Sequence, residues 1–302
     1  MNPRFPLYIP TKGRADSRYT DKALDAMGVP HRLVIEEQEY DLYAREVDEN
    51  KLLVLDPRYQ AEYDTLDDLG GTKSRGPGPA RNFIWEHSMA EGHAWHWVMD
   101  DNIKRFHRLY YNQRIKLHSG VGFRIMEDFV LRYTNVAMAG PQYSNFCPPI
   151  NKFRPFMTNR RIYSCNLIRN DVPFRWRGRY NEDTILSLDM MKAGWCTIEF
   201  NAILQDKICT QVVKGGNTAE FYAHEGTLPK SQMLVDAHPD VARLMVRYGR
   251  HHHFVDYRPF AANKLCRRPD IGRKNSTNNY GMDVPAECEI WAAKRRAQLE
   301  QE

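Results

Sequence analysis

Asp100-Asp101-Asn102 follows the run His96-Trp97-Val98-Met99 and sets hard oxygen donors at the end of an apolar strand. Carboxylates beside an apolar strand are costly unless something compensates them. A divalent ion carrying a diphosphate is one such compensation, because Mg²⁺ and Mn²⁺ prefer oxygen ligands and share them with substrate phosphates. The plain alternative is a solvated turn, for which Asp and Asn are ordinary residues. Three other groups bear on the choice. Thr11-Lys12-Gly13-Arg14 is a cationic turn at a helix start. It is not a Walker loop, but it can seat a phosphate or a uracil ring. Gly76-Pro77-Gly78-Pro79-Ala80-Arg81-Asn82 feeds a helix whose first turn presents Arg81 and Asn82. That is either an anion site or a packing loop with a surface arginine. Asn181-Glu182-Asp183 puts paired acids in the first turn of another helix. They either compensate the helix dipole or supply a general base for an acceptor hydroxyl.

These groups need a scaffold that gathers strand ends. Phe5 to Pro10 reads as a strand, followed by a helix to about Met27 that stops at Gly28. His31 to Ile35 and Leu52 to Leu55 read as strands around a helical stretch at 38–49. Gly70-Gly71 begins a loop, and Pro79 opens a helix ended by Gly92. His93 to Met99 is a fourth strand. This alternation implies a parallel sheet with helices on its faces. Ligands of such sheets sit beyond the C-terminal strand ends. The Thr11 loop, Glu36-Glu37 and Asp100-Asp101-Asn102 all fall there. Further on, strands are predicted at 103–109, 136–139, 162–168, 196–200 and 208–213. Helices are predicted at 122–134, 182–193 and 229–248, the last broken at Pro239, and at 286–302. Residues 140–160 read as a long ordered loop.

The 302 residues are 42% hydrophobic and 27% charged, which fits a globular protein with a sizeable core. No run of about 18 apolar residues predicts a membrane span. Met1 to Pro6 carries no signal-peptide pattern. The six cysteines include no Cys-x-x-Cys pair, which argues against zinc and for a reducing compartment. The net charge of +5 hides an asymmetry. Residues 36–68 carry −9, whereas 152–179 and 243–274 carry +7 each, with interleaved aromatics. The basic stretches are either solvated surface or a grip on nucleic acid.

Ala80-Arg81-Asn82, Trp97-Val98-Met99-Asp100-Asp101-Asn102, Glu182-Asp183 and Ala193-Gly194-Trp195, in that order, resemble the signatures of GT-A glycosyltransferases that use nucleotide sugars. Pro10-Thr11-Lys12-Gly13-Arg14 resembles the nucleotide loop of that fold. More narrowly, the chain resembles the phage TET-associated glycosyltransferases, which are proposed to add sugar to 5-hydroxymethylcytosine in DNA. The resemblance implies an α/β fold with a GT-A-like, Rossmann-type mixed sheet flanked by helices. It implies one domain over 1–257, with a nucleotide-sugar half to about 110 and an acceptor half from about 111, and a basic extension at 258–302. It implies a UDP-sugar donor and Mn²⁺ or Mg²⁺. Pro10, Thr11, Lys12, Gly13, Arg14, Glu36, Arg81, Asn82, Asp100 and Asp101 would meet the nucleotide sugar. Asp100, Asn102 and His224 would bind the metal, although Asn102 stands where this DXD-like motif usually has Asp. Asp183, with Glu182, would be the catalytic base if the transfer inverts the anomeric centre, whereas a retaining transfer would require no such base. Arg175, Trp176, Arg177, Arg179, Arg247 and Arg250 would meet DNA carrying a hydroxymethylated base, flipped out of the duplex. The expected setting is cytoplasmic, in the host bacterium if phage-encoded.

Three alternatives stand beside this reading. A transferase acting on a protein or glycan would show little salt dependence in acceptor binding. A sugar nucleotidyltransferase would need a glycine-rich triphosphate loop, which is not evident. A degenerate nucleic-acid-binding protein would bind DNA without turnover.

Overall fold

The computed structural model describes residues 1–67, 75–110, 112–149, 154–208, 227–247, 249–271 and 297. The first half holds β1 (Leu7–Pro10), α1 (Tyr19–Ala26), β2 (Arg32–Ile35), α2 (Tyr40–Ala44), β3 (Leu52–Val54), α3 (Pro57–Glu62), α4 (Gly78–Ala90) and β4 (Trp95–Met99). Then come β5 (Ile103–Tyr110), β6 (Gln113–Lys116), α5 (Val121–Val130), β7 (Val136–Tyr143), β8 (Phe156–Thr158), β9 (Cys165–Arg169), α6 (Glu182–Lys192) and β10 (Cys196–Lys207). Helix α7 (Leu228–Ala237) precedes a hairpin of β11 (Ala242–Arg247) and β12 (Arg250–Val255).

One large sheet runs β3-β2-β1-β4-β9-β7-β10-β5-β6, with β8 also on β10. Strands β3, β2, β1 and β4 are mutually parallel, as the alternation of strands and helices predicts. From β9 onward the sheet is mixed, and β9 runs antiparallel to both β4 and β7. Alternate residues feed opposite faces. Leu7, Ile9, Trp97 and Met99 join Leu24 of α1 and Phe123 and Phe129 of α5 in one core. Tyr8, Val34 and Val98 join Trp85 of α4 and Leu186 of α6 in the other. The parallel part of the sheet is thus covered on both sides, and β1, β2 and β4 are nearly continuous apolar runs.

Local signals explain the boundaries. Pro79 lies in the first turn of α4, and Gly92 (φ 79°) stops it. Gly140 lies under the β9 backbone, where an added Cβ would stand 2.1 Å from the Cys165 carbonyl oxygen, so no side chain fits there.

The sequence reading missed several elements. Strand β6 forms a hairpin with β5 beside Asn112 (φ 63°). Residues 156–158, expected in a loop, pair with β10 as β8. Strand β10 continues for 12 residues to Lys207, past the predicted stop at Phe200. The predicted helix at 229–248 ends at Ala237, and 242–247 is a strand instead. The alternation in Ala242–Val255 turns at Gly249 (φ 68°) and pairs as a hairpin. The terminal helix at 286–302 and the strand beyond 208 fall outside the described residues. Residues 258–268, expected to be peripheral, dock on the body. Asn159 Nδ2 donates to the Phe260 and Asn263 carbonyls at 2.7 and 2.9 Å, and the Arg268 amide donates to the Arg132 carbonyl at 2.8 Å. Among the described residues no helix is long and apolar enough to cross a membrane.

One buried carboxylate fastens the N-terminal segment to the sheet. Glu127 of α5 accepts the Arg4 and Phe5 amides at 2.7 and 3.2 Å and Trp97 Nε1 at 2.9 Å. Glu127→Ala strands these donors, each worth roughly 1 kcal/mol or more when buried unpaired. Chemical denaturation is expected to show a loss of about 3 kcal/mol with an unchanged m-value.

Candidate active site

The C-terminal ends of β1, β2 and β4 open into a cavity of about 800 Å³. Thr11, Lys12, Arg14 and Glu36 line one end, Asp100, Asp101 and Asn102 the middle, and Glu182 and Asp183 the other end. The Asp100 turn is fixed by the first turn of α1. Thr20 Oγ1 donates to the Asp100 carbonyl at 2.6 Å and accepts the Ile103 amide at 2.9 Å. The Thr20 amide donates to the Asp101 carbonyl at 3.2 Å.

The two aspartates face different ways. Asp101 turns to the first loop, where it accepts Thr11 Oγ1 at 2.9 Å and pairs with the Arg14 guanidinium. Burial raises its carboxyl, with Arg14 and Thr11 opposing. It therefore shapes the loop from Thr11 to Arg14 rather than presenting a free carboxylate. Asp100 takes Arg81 Nη2 on Oδ1 at 2.8 Å and Lys207 Nζ on Oδ2 at 2.6 Å. Burial opposes its ionisation, yet Lys207 and Arg81 outweigh burial and hold its carboxyl below the usual range.

Arg81 is 1% exposed and ties three carboxylates together. Its Nη1 donates to Asp183 Oδ1 at 2.7 Å and Glu182 Oε1 at 3.1 Å. Its guanidinium lies 4.5 Å over the Trp176 ring. Trp176 is held there by Asn82, whose side-chain amide donates to the Trp176 carbonyl and accepts its amide, both at 2.9 Å. Burial pushes the Asp183 carboxyl up to about 7, with Arg81 opposing and Glu182 and Asp100 adding. Ser164 (φ 61°) and Asn181 (φ 55°), both in the cavity wall, take left-handed backbone, a strained conformation common at functional sites.

The structure gathers Pro10, Thr11, Lys12, Arg14, Glu36, Arg81, Asp100, Asp101, Asn102, Glu182 and Asp183 around one space. Gly13 lies just outside it, with its amide on Glu39 Oε1 at 2.6 Å. Asn82 is a clamp on Trp176, since both ends of its amide are spent on backbone. His224 lies outside the described residues. The expected nucleic-acid face needs correction. Trp176 is 1% exposed and packs inward on Arg81, so it offers no surface for stacking. Arg175 pairs with Glu86 at 2.8 Å and Arg177 with Asp189 at 2.9 Å. Arg179 lies in the cavity wall, 3.8 Å from Asp67. Arg247 and Arg250 are exposed and opposite each other at the hairpin end.

Lys207, Ser164, Arg161, Lys230 and His253 also line the cavity and were not singled out in the sequence. Lys207 carried little signal, because Glu199, Asn201, Gln205 and Asp206 interrupt the apolar residues of the strand that it closes.

The donor set does not fit a resident divalent ion. Both Asp100 oxygens hold cationic donors, and Asn102, with Nδ2 on the Ile208 carbonyl at 3.1 Å, leaves its buried amide oxygen unpartnered, a single neutral ligand where a divalent ion needs several oxygens. The one group of clustered acids and histidine among the described residues, Asp21, Asp25 and His31, lies outside this cavity. Lys51 Nζ already bridges its two aspartates, at 3.3 and 2.5 Å.

Removing Arg81 leaves buried carboxylates facing each other. Arg81→Met is expected to cost about 3–5 kcal/mol at pH 8. Asp183 has a raised folded-state carboxyl, so its contribution favours folding at acid pH and is lost as pH rises through about 7. The deficit of the variant should therefore shrink between pH 8 and pH 5. Paired denaturation curves at the two pH values check the sign.

A family model described as TET-Associated Glycosyltransferase matches residues 5–216. No curated protein matches the chain. The family match takes in the loop from Thr11 to Arg14, Arg81, the Asp100 turn, Asp183 and Lys207. Spanning well over half of the sequence, it identifies the chain as a glycosyltransferase that belongs to the TET-associated glycosyltransferase family.

Proposed function

We propose that this glycosyltransferase moves a sugar from a UDP-sugar to the hydroxymethyl group of 5-hydroxymethylcytosine in DNA, with inversion at the anomeric carbon. One observation carries the reading. A single cavity holds the Thr11-to-Arg14 loop and Glu36 at the ends of β1 and β2 and an acid pair at the start of α6, and one buried arginine joins the acid pair to Asp100.

Ligands of open α/β sheets sit beyond the strand ends, where Thr11, Lys12, Arg14 and Glu36 stand. Glu36 pairs with Lys12 at 3.2 Å and accepts Gln60 Nε2 at 3.2 Å, a polar set suited to the edge of uracil or to ribose hydroxyls. Asp183 is the base. It takes the proton of the hydroxymethyl group as that oxygen attacks the anomeric carbon, and its raised carboxyl is matched to the work near neutral pH. Arg81 holds Asp183 in place and stabilises the charge that shifts across the site. On this reading residues to about 110 serve the donor, those from about 111 to 257 serve the acceptor, and 258–302 is a basic extension.

DNA as acceptor is favoured by a second cleft of about 1070 Å³. Here the two basic stretches meet: Arg160 from one lines it with Arg243, Arg258 and Lys264 from the other. Aromatic rings are interleaved, with Arg243 4.8 Å over Phe254 and Arg160 5.9 Å over Tyr257. Strand β12 is shared, since His253 lines the cavity and Phe254 the cleft. A strand bound in the cleft and a base turned across β12 would reach Asp183.

Intact-mass analysis of a 5-hydroxymethylcytosine oligonucleotide, after incubation with the chain and UDP-glucose or UDP-N-acetylglucosamine, should show one added sugar, absent with plain cytosine. Release of UDP with no mass gain on DNA would move the acceptor to protein or glycan. Asp183→Asn should lower kcat by about 10²–10⁴-fold with UDP affinity retained. In the wild type, log kcat/KM should fall with decreasing pH below about 7, as Asp183 gains its proton.

A further inference from the structure

Lys207 is the last residue of β10. The ten residues before Asp206 are buried without exception, so the strand delivers a cation from inside the sheet. The ladder to β5 shifts register between Asp206 and Lys207, which is how a strand re-aims a side chain at its end. Lys207 Nζ then meets Asp100 Oδ2 at 2.6 Å and Ser164 Oγ at 2.8 Å. Ser164 is itself held by the Tyr143 hydroxyl at 2.6 Å. The lysine side chain is only 15% exposed, and that remainder faces the cavity.

A divalent ion would occupy the same place, about 2.1 Å from a carboxylate oxygen and ready to share its charge with a diphosphate. The wall needs no such ion to receive one. Eight Lys and Arg side chains line the cavity against five Asp and Glu. Asn102 is consistent with that balance, because an amide at this position adds no carboxylate for a metal to neutralise.

We infer that Lys207 takes the part of a divalent cation at the diphosphate, so that sugar transfer and UDP binding are independent of metal. The inference rests on the reading of the cavity as a UDP-sugar site. In the step, the bond between the anomeric carbon and the β-phosphate oxygen breaks, and its electron pair leaves with UDP. The acceptor oxygen forms the new bond to that carbon, and its proton passes to Asp183. Lys207 donates a hydrogen bond to the leaving phosphate and keeps its proton. An ammonium has three N–H donors, of which Asp100 and Ser164 account for two.

The test is calorimetric titration of UDP into the full chain, with EDTA and with Mn²⁺, beside electron paramagnetic resonance of free Mn²⁺ with the chain alone. The UDP affinity should agree within about twofold in the two buffers, and the free Mn²⁺ signal should not fall on adding protein. Lys207→Met should weaken UDP binding by about 10- to 100-fold, the loss of one charge-assisted hydrogen bond, while Lys207→Arg stays near wild type. Recovery by the arginine variant separates lost charge from lost fold. An EDTA-dependent loss of affinity that Mn²⁺ restores would overturn the inference, as would a Lys207→Met variant that binds UDP like the wild type. Absence of UDP binding in both buffers would overturn the UDP reading itself, and the inference with it.

Discussion

A single guanidinium with three carboxylates organises this molecule. Arg81 joins the end of β4, through Asp100, to the start of α6, through Glu182 and Asp183. It is fully inside the protein, where an unpaired charge would be prohibitive. Asp100 and Asp183 depend on cations in turn, since burial disfavours their charged forms and Arg81 opposes it at both, with Lys207 added at Asp100. The result is a division of labour by environment. Asp100, with two cations, is held ionised, while Asp183, sharing one cation with its neighbours, sits near neutrality. Two carboxyl groups on one arginine are thereby tuned for different tasks.

The sheet explains why these groups meet. Parallel strands β3, β2, β1 and β4 end together, so loops distant in sequence converge on one rim. The antiparallel strand β9 and the long β10 then bring Ser164 and Lys207 to that rim from the other half. Helix α4 carries Arg81 in from one face of the sheet, and Trp176 covers its guanidinium from behind.

Much of this was legible in the sequence. Alternation of apolar strands with capped helices gave the parallel half, and charged residues at the ends of apolar runs marked Thr11 to Arg14 and Asp100 to Asn102. The reading went astray where local pattern and tertiary context diverge. Arg175-Trp176-Arg177 looks like a stacking surface, but Trp176 is drawn inward by its own bulk and by Asn82. The chain at 242–255 has enough charge and enough apolar residues to pass for helix, and Gly249 decides for a hairpin. Asn82 and Arg81 are adjacent in sequence yet differ in role, because the rotation of roughly 100° between successive helical residues points them to different partners. Lys207 was overlooked because its partners, Asp100 and Ser164, are 107 and 43 residues away.

On the proposed reading the diphosphate and the nucleoside sit at the rim of β1, β2 and β4, with the charge cluster around Arg81 beneath them. Backbone hydrogen exchange with and without saturating UDP tests it most directly. Exchange should slow at residues 11–14, 35–37 and 100–103, with β11 unchanged. Protection confined to the second cleft, around 158–160 and 239–265, would contradict it.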